Sequence, residues 1–314
     1  MLESLLTGVS QGLIWAVLAL GVFISYRLLD FADLSCEGCF TCGASVCAVC
    51  LWAGVPSVVA LLAACGAGAL VGTVTGLLHT KLKIPPILAG ILTMTSLYSV
   101  NIHIMSAASG VEGTANLSLQ AYRSGTLYAQ LNGVLGLGRR NTAILLGVLI
   151  AAGVIFLLYW FFGTELGCAI RATGDNEKMC RAQGIHTDRT KIIGLALSNA
   201  LIALSGALLC QYQTAVDINM GVGSIVIGLA SIIIGETLFR RAKGFLFRLC
   251  GIVFGAVLYR VVVSLVIFSG MPSVDLKLLT AAVVVCALGV PTLFAHLPKK
   301  RIQKKGESHA TTND

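Results

Sequence analysis

The strongest constraint on this chain is a series of apolar runs, each 18 to 24 residues long, that follow one another along almost its whole length. A helix of about 20 residues crosses the roughly 30 Å hydrocarbon core of a bilayer. Inside lipid, only helices and closed barrels satisfy their own backbone hydrogen bonds. The runs fall at 5–26, 34–53, 57–80, 86–107, 142–162, 190–212, 221–238, 245–268 and 276–294. Composition agrees: 56% of the residues are hydrophobic, 11% are charged and mean hydropathy is +0.88, where a soluble domain carries roughly 25% charge. The 35 glycines suit helices whose backbones approach closely. The chain is therefore expected to be an all-α, polytopic transmembrane helix bundle of about nine spans, within a range of eight to ten. A secreted enzyme, a nucleic-acid binder and a disordered regulator do not fit.

The net charge of +8 is explained by where the charges lie. Alternating sides place 17 of the 22 Lys and Arg on one face, in segments 27–33, 81–85, 163–189 and 239–244, at the adjoining Lys191 and Arg248, and in the tail. The other face holds only Arg123, Arg139 and Arg140. By the positive-inside rule, the tail is cytoplasmic, and nine spans then put the N-terminus outside. This divides the chain into a transmembrane domain, 1–298, and a basic cytoplasmic tail, 299–314. The opening MLESLLTGVSQG has no basic n-region and no small-residue cleavage site, so it reads as the start of the first span rather than a signal peptide.

No motif for catalysis appears. There is no G-x-x-x-x-G-K-[ST], no H-E-x-x-H and no G-x-S-x-G, and the five His are scattered. We expect no catalytic residue and no metal ligand. Cys36, Cys39 and Cys42 have a spacing seen at metal sites, but with Cys47 and Cys50 they sit in a Gly- and Ala-rich span without His. They read as small apolar residues at helix contacts.

Two features point to function. The first is an internal echo: FADLSCEGCFTCG at 31–43 and AVDINMGVGS at 215–224 each carry Asp, an apolar and a small polar residue, then Gly. Asp33 and Asp217 would enter from opposite faces, as inverted-topology repeats do, with the substrate route between the halves. Candidate pathway residues are Asp33, Glu37, Gly38, Asn199, Asp217, Gly221 and Gly223. Glu37 reads equally as a helix N-terminal acid favoured by the dipole. Asn199, with Ser198, Ser205 and Gln211, also suits hydrogen bonding between helices. Glu236 and Arg240 read as an i,i+4 pair, and Arg260 inside its span needs an acceptor or a route to water. The second feature is segment 163–189, too polar to cross a membrane. It should turn at Gly174-Asp175-Asn176, with Asp175 or Asn176 capping a short helix over 177–183 that Gly184 ends. Such a helix on the cytoplasmic side suits docking of another protein.

The run RATGDNEKMCRAQGI resembles the coupling loop of permease subunits of ATP-binding cassette (ABC) importers in the branched-chain amino acid and ribose-type superfamily. LLDFADLSCEGCFTCGA resembles a discontinuous helix of the same family, and MGVGSIVIGLASIIIGETLF its counterpart in the other half. The likeness covers residues 12 to 290. The wording ATGDN, GLALSNALIALSGALLCQYQ and GLASIIIGE is closest to permeases found beside tryptophan/tyrosine-type binding proteins. Two features depart from the pattern: Glu236, where sugar members tend to have Gly, and the cysteine cluster. The resemblance implies a vitamin-B12-importer-like permease in a bacterial plasma membrane, with an inverted pseudo-repeat. It implies ATPase coupling through Arg171, Ala172, Gly174, Asp175, Asn176, Arg181, Gly184 and Ile185. The implied partners are cytoplasmic ABC ATPase subunits, an external substrate-binding protein or lipoprotein, a second permease copy and membrane lipid, without nucleic acid. The chain would hold no cofactor, since ATP–Mg would sit on the ATPase. Its solute would be small, an amino acid or a related metabolite. The alternative is a secondary transporter or channel working without an ATPase, which should pair carboxylates at mid-membrane. Here Glu37, Asp217, Glu236 and Asp275 lie near span ends.

Overall fold

A computed structural model describes residues 2–136, 138–239 and 244–268, together with 278, 281, 282 and 285. Helix α1 (Leu2–Val22) runs into a π-helical turn at Phe23–Leu28. There follow α2 (Cys36–Trp52), α3 (Ser57–Thr80), α4 (Pro86–Ser109), strand β1 (Asn116–Ser118), a 3-10 turn (Gln120–Gly125) and α5 (Leu127–Leu135). The second part holds α6 (Arg139–Phe162), α7 (Glu165–Asp175), α8 (Glu177–Ala182), α9 (Thr187–Gln213), strand β2 (Ala215–Asp217), α10 (Ser224–Leu238) and α11 (Phe245–Phe268). The strands pair antiparallel, Leu117 opposite Val216, and close one end of the bundle. Helices α7 and α8 lie at the other end.

Six helices among the described residues, not nine, are long and apolar enough to cross a membrane: α1 with its π-turn, α3, α4, α6, α9 and α11. The expected spans 34–53 and 221–238 fold as the shorter α2 and α10, of 17 and 15 residues, which at 1.5 Å per residue reach only ~25 and ~22 Å. Both start late for a local reason. Before α2, Asp30 takes a left-handed φ of 51°, and Asp33 Oδ1 accepts from the Ser35 N–H at 2.9 Å, a local bond that competes with helix. Before α10, Gly223 holds φ at +84°, which breaks any helix entering from 218–222. The expected span 276–294 falls outside the described residues apart from positions 278, 281, 282 and 285.

Helix α9 is the centre of the bundle and packs against α1, α2 and α3. Its approach to α2 and α3 is at backbone level: a Cβ on Gly43 would collide with the main chain of Ala203, and one on Gly72 with that of Leu195. Side-chain hydrogen bonds fasten the same contacts. Ser198 donates to the Gly21 carbonyl at 2.7 Å and Ser205 to that of Ile14 at 2.8 Å. The Gln211 amide donates to the Ser57 carbonyl, and its oxygen accepts from the Leu127 N–H. Arg260 lies with its guanidinium 4.1 Å from the centre of the Trp15 ring, a cation–π contact that gives a buried cation a partner. The cysteines pack as small groups: Cys39 and Cys47 are buried, and the Cys39 thiol donates to the Asn199 carbonyl.

Gly43→Val and Gly72→Val should each lower the melting temperature of the purified chain, since overpacking of this kind costs about 1–3 kcal/mol or more. Gly153→Ala, where an added Cβ meets nothing within 4 Å, should leave it unchanged. A thermal unfolding series in one detergent reads both.

Candidate functional site

The two echoing segments are the lead-ins to α2 and α10, and they meet inside the bundle. Asp33 is buried behind this junction. Its Oδ1 accepts from the Ser35 hydroxyl at 2.5 Å and its Oδ2 from Asn199 Nδ2 at 2.8 Å, so it ties the lead-in of α2 to α9. Glu37, one turn later, points to the other element: its Oε1 accepts from the Gly223 N–H at 2.9 Å, at the N-terminus of α10. Gly221 packs directly on the Glu37 carbonyl, where a Cβ would not fit. Two helix N-termini thus converge on one carboxylate, an arrangement the helix dipole favours.

A cavity of about 260 Å³ opens beside this junction. Glu37, Gly38 and Thr41 line it from α2, Ile218, Asn219 and Val222 from the lead-in of α10, and Met94, Thr95, Tyr98 and Asn101 from α4. The α4 residues sit around the midpoint of Pro86–Ser109, so the cavity lies half-way along a membrane-length helix. Of the residues singled out from sequence, Glu37 and Gly38 line it and Gly221 and Gly223 back it. Asp33 and Asn199 stand one layer behind, and Asp217 ends β2, where its Oδ1 accepts from the Asn219 N–H at 2.7 Å. The α4 contribution was missed. Its signal was present, since Thr95, Tyr98 and Asn101 form a polar stripe at helical spacing within an apolar run.

At the opposite end from the strands, segment 163–189 holds two helices where one was expected. Thr164 caps α7 by accepting from the Gly167 N–H, and Asn176 caps α8 by accepting from the Met179 N–H. Gly174 is not in a turn but inside α7, and packs against the carbonyl of Leu28 at the end of the π-turn. Glu177 gathers Arg181 at 2.9 Å, Lys191 at 2.8 Å and the Thr187 hydroxyl at 3.2 Å, and Arg181 also reaches Asp188 at 3.1 Å. Burial alone would raise the Glu177 carboxyl, but the Lys191 hydrogen bond and the Lys191 and Arg181 charges outweigh it and hold it below the ordinary value of 4.5. Gly184 ends the turn after α8 at φ +82°, and the Ile185 N–H returns to the Cys180 carbonyl at 3.0 Å. Arg171 lies over the Phe245 ring at 5.2 Å, beside the partly buried Ala172. Asp175 is exposed at the end of α7. Arg171 and Arg181 thus each have a partner within the chain while remaining exposed, and two apolar side chains that the amino-acid order alone did not single out, Leu166 and Met179, are exposed beside them. Glu236 pairs with Arg27 at 3.1 Å and Arg248 at 2.8 Å. Its expected partner, Arg240, lies outside the described residues.

A bundle of membrane-length helices, with two short helices meeting at a mid-depth cavity and a capped helical segment at one end, defines a polytopic membrane permease. Residues 4–288 match the family described as branched-chain amino acid transport system / permease component, and the chain belongs to that family. A tyrosine transport system permease protein of Clostridioides difficile (strain R20291) is 39% identical over 298 residues, covering 95% of each chain. The ribose import permease of Escherichia coli (strain K12) is 28% identical over 248 residues, 77% of this chain and 71% of that one. Among solved structures, a chain described as an ABC transporter of metal-chelate type in an inward-facing conformation aligns over 93% of this chain and 86% of its own. Its TM-score is 0.48, with 17% sequence identity. This chain is a multi-pass membrane protein and a permease component of an ABC transporter, a class that works with ATPase and binding-protein partners.

Because the folded-state value of Glu177 lies below 4.5, its contribution is complete above that pH and is lost as pH falls through the lowered value. Amide exchange over 177–182, corrected for intrinsic rates, should lose protection on acidification below about pH 4.5. Glu177→Gln should show less protection at neutral pH and no such acid step.

Proposed function

We propose that this chain, paired with a second copy of itself, forms the translocation pathway of an importer for an amino acid or a closely related small metabolite. The expected ninth span, 276–294, completes the vitamin-B12-importer-like arrangement, in which the halves related by the pseudo-repeat lead in to α2 and α10. The β1–β2 end faces outward and receives solute from an external binding protein or lipoprotein. The α7–α8 end and the basic tail, 299–314, face the cytoplasm, in a bacterial plasma membrane whose lipid covers the outer helix faces. Two ATPase subunits, which hold the ATP–Mg, dock on residues 171–185. The chain itself carries neither cofactor nor catalytic residue.

The observation that carries this reading is the junction at Glu37. Two helices too short to cross the bilayer present their N-termini to one carboxylate beside a mid-depth cavity, as discontinuous helices do at transport sites. The α7–α8 end supports the coupling role. Its Glu177 and Arg181 pair within the chain, its exposed Met179 and Leu166 offer apolar anchors, and Gly174 transmits any push on α7 to the end of the π-turn through Leu28. The amino-acid assignment is supported by the tyrosine transport relative.

Affinity-tagged chain expressed in its own host should bring down an ATPase subunit. In proteoliposomes with that subunit and its binding protein, amino-acid uptake should require ATP. Uptake by the chain alone would overturn the reading. Met179→Glu should lower solute-stimulated ATP hydrolysis about tenfold or more, since a carboxylate placed in an apolar contact must be desolvated. Cysteine at position 186 should react only from the cytoplasm and at position 125 only from outside.

A further inference from the structure

The cavity at the α2–α10 junction has a one-sided hydrogen-bonding character. Its hydroxyl protons are directed into the main chain: Thr95 donates to the Ile91 and Leu92 carbonyls at 3.0 Å, and Thr41 faces the Glu37 and Ile218 carbonyls at 3.4 and 3.5 Å. Asn101 donates through Nδ2 to the Gly38 carbonyl at 3.2 Å. That contact fixes the amide orientation, because the flipped form would set oxygen against oxygen. Its Oδ1 is then buried without a partner in a residue only 1% exposed, a state that costs free energy until a donor arrives. Glu37 spends Oε1 on the Gly223 N–H, and its Oε2 has no partner among the described residues. The groups left to donate, the Tyr98 hydroxyl and the Asn219 amide, are neutral, and among the described residues no cation lines the cavity.

A site that holds a carboxylate, and no cationic side chain among the described residues, selects for a positively charged donor. We infer that this cavity binds the ammonium group of the solute, with Glu37 Oε2 as its acceptor, and that Glu37 is the specificity-determining residue that turns away solutes bearing only a carboxylate. The Tyr98 ring and Met94 supply the wall for an apolar body, and an aromatic face adds attraction for a cation. The inference rests on the proposal that the solute is an amino acid or a relative of one, and narrows it to ammonium-bearing members. A volume of about 260 Å³, at the lower edge of small-molecule sites, suits one end of such a solute.

Glu37→Gln isolates the charge, since the glutamine oxygen can still accept from the Gly223 N–H. The test uses full-length Thr95→Cys protein in which Cys50, Cys65, Cys168, Cys250 and Cys286 are serine. Methanethiosulfonates bearing a trimethylammonium or a sulfonate group are compared, each rate normalised to free cysteine. The cationic reagent should be favoured on the order of tenfold, as expected for one unit charge facing the thiol across the cavity at intermediate dielectric. Glu37→Gln should bring the ratio near one, and Glu37→Asp should retain most of it. Tyramine and L-tyrosine should protect the introduced thiol from a neutral maleimide, and 3-(4-hydroxyphenyl)propionate should not. A ratio near one in the protein that retains Glu37, or equal protection by the deaminated acid, overturns the inference. The two readings fail separately. Absence of ATP-driven amino-acid uptake by the complete complex, with tyramine protection intact, removes the importer assignment alone. Wild-type uptake with an unselective cavity removes this inference alone.

Discussion

Everything in this bundle depends on how closely other helices come to α9. Turning apolar side chains inward gains little in lipid, because the surrounding chains are as apolar as leucine; association rests on close packing and on hydrogen bonds between helices. α9 supplies both. At Ala203 and Leu195 its main chain touches α2 and α3 through glycines that leave no room for a Cβ. Along the same helix Ser198, Asn199, Ser205 and Gln211 bond to α1, to the lead-in of α2 and to the first residues of α3 and α5. The polar residues of α9 are therefore positioning residues, and they hold α2 where its N-terminus can face α10.

That placement is what makes the junction at Glu37 possible. A helix that crosses the bilayer leaves its own N-terminus at the headgroups, where water meets the free N–H groups. α2 and α10 instead begin inside the bundle, and their first-turn donors must be met by protein. Asp33 meets one set through Ser35, and Glu37 meets the other through Gly223. An ionisable side chain inside a membrane is costly and is kept for function. Here it accepts from a helix end and borders a cavity at once.

Much of this was legible in the amino-acid order. Long apolar runs and the placement of Lys and Arg marked a polytopic bundle. The echo of Asp, an apolar residue, a small polar residue and then Gly located both lead-ins, and Asn176 and Gly184 set the limits of α8. What was not legible depends on neighbours distant in sequence. Residues 34–53 and 221–238 are apolar enough to read as full spans, and the Asp33–Ser35 bond and the left-handed Gly223 that delay their helices show only in the folded chain. Gly174 next to Asp-Asn carries the signature of a turn, yet Leu28 needs a residue without a side chain in a helix there. Arg181 looked free to reach a partner until Glu177 and Asp188 folded around it. On α4 the polar stripe was visible, but its facing Glu37 required the tertiary arrangement.

The helices also sort into two blocks. α2, α3, α4 and α9 pack together on one side, α10 and α11 on the other, and α1 touches both. The cavity lies on the seam: α2 and α4 form its wall from the first block, and the lead-in of α10 closes it from the second. The hydrogen bond from Gly223 to Glu37 is thus a clasp across that seam. Were the blocks to slide by even a few ångströms, the clasp would open, the carboxylate would lose its donor, and the volume beside it would change in the same stroke. In such a construction the shape of the cavity and the relative position of the blocks are a single variable.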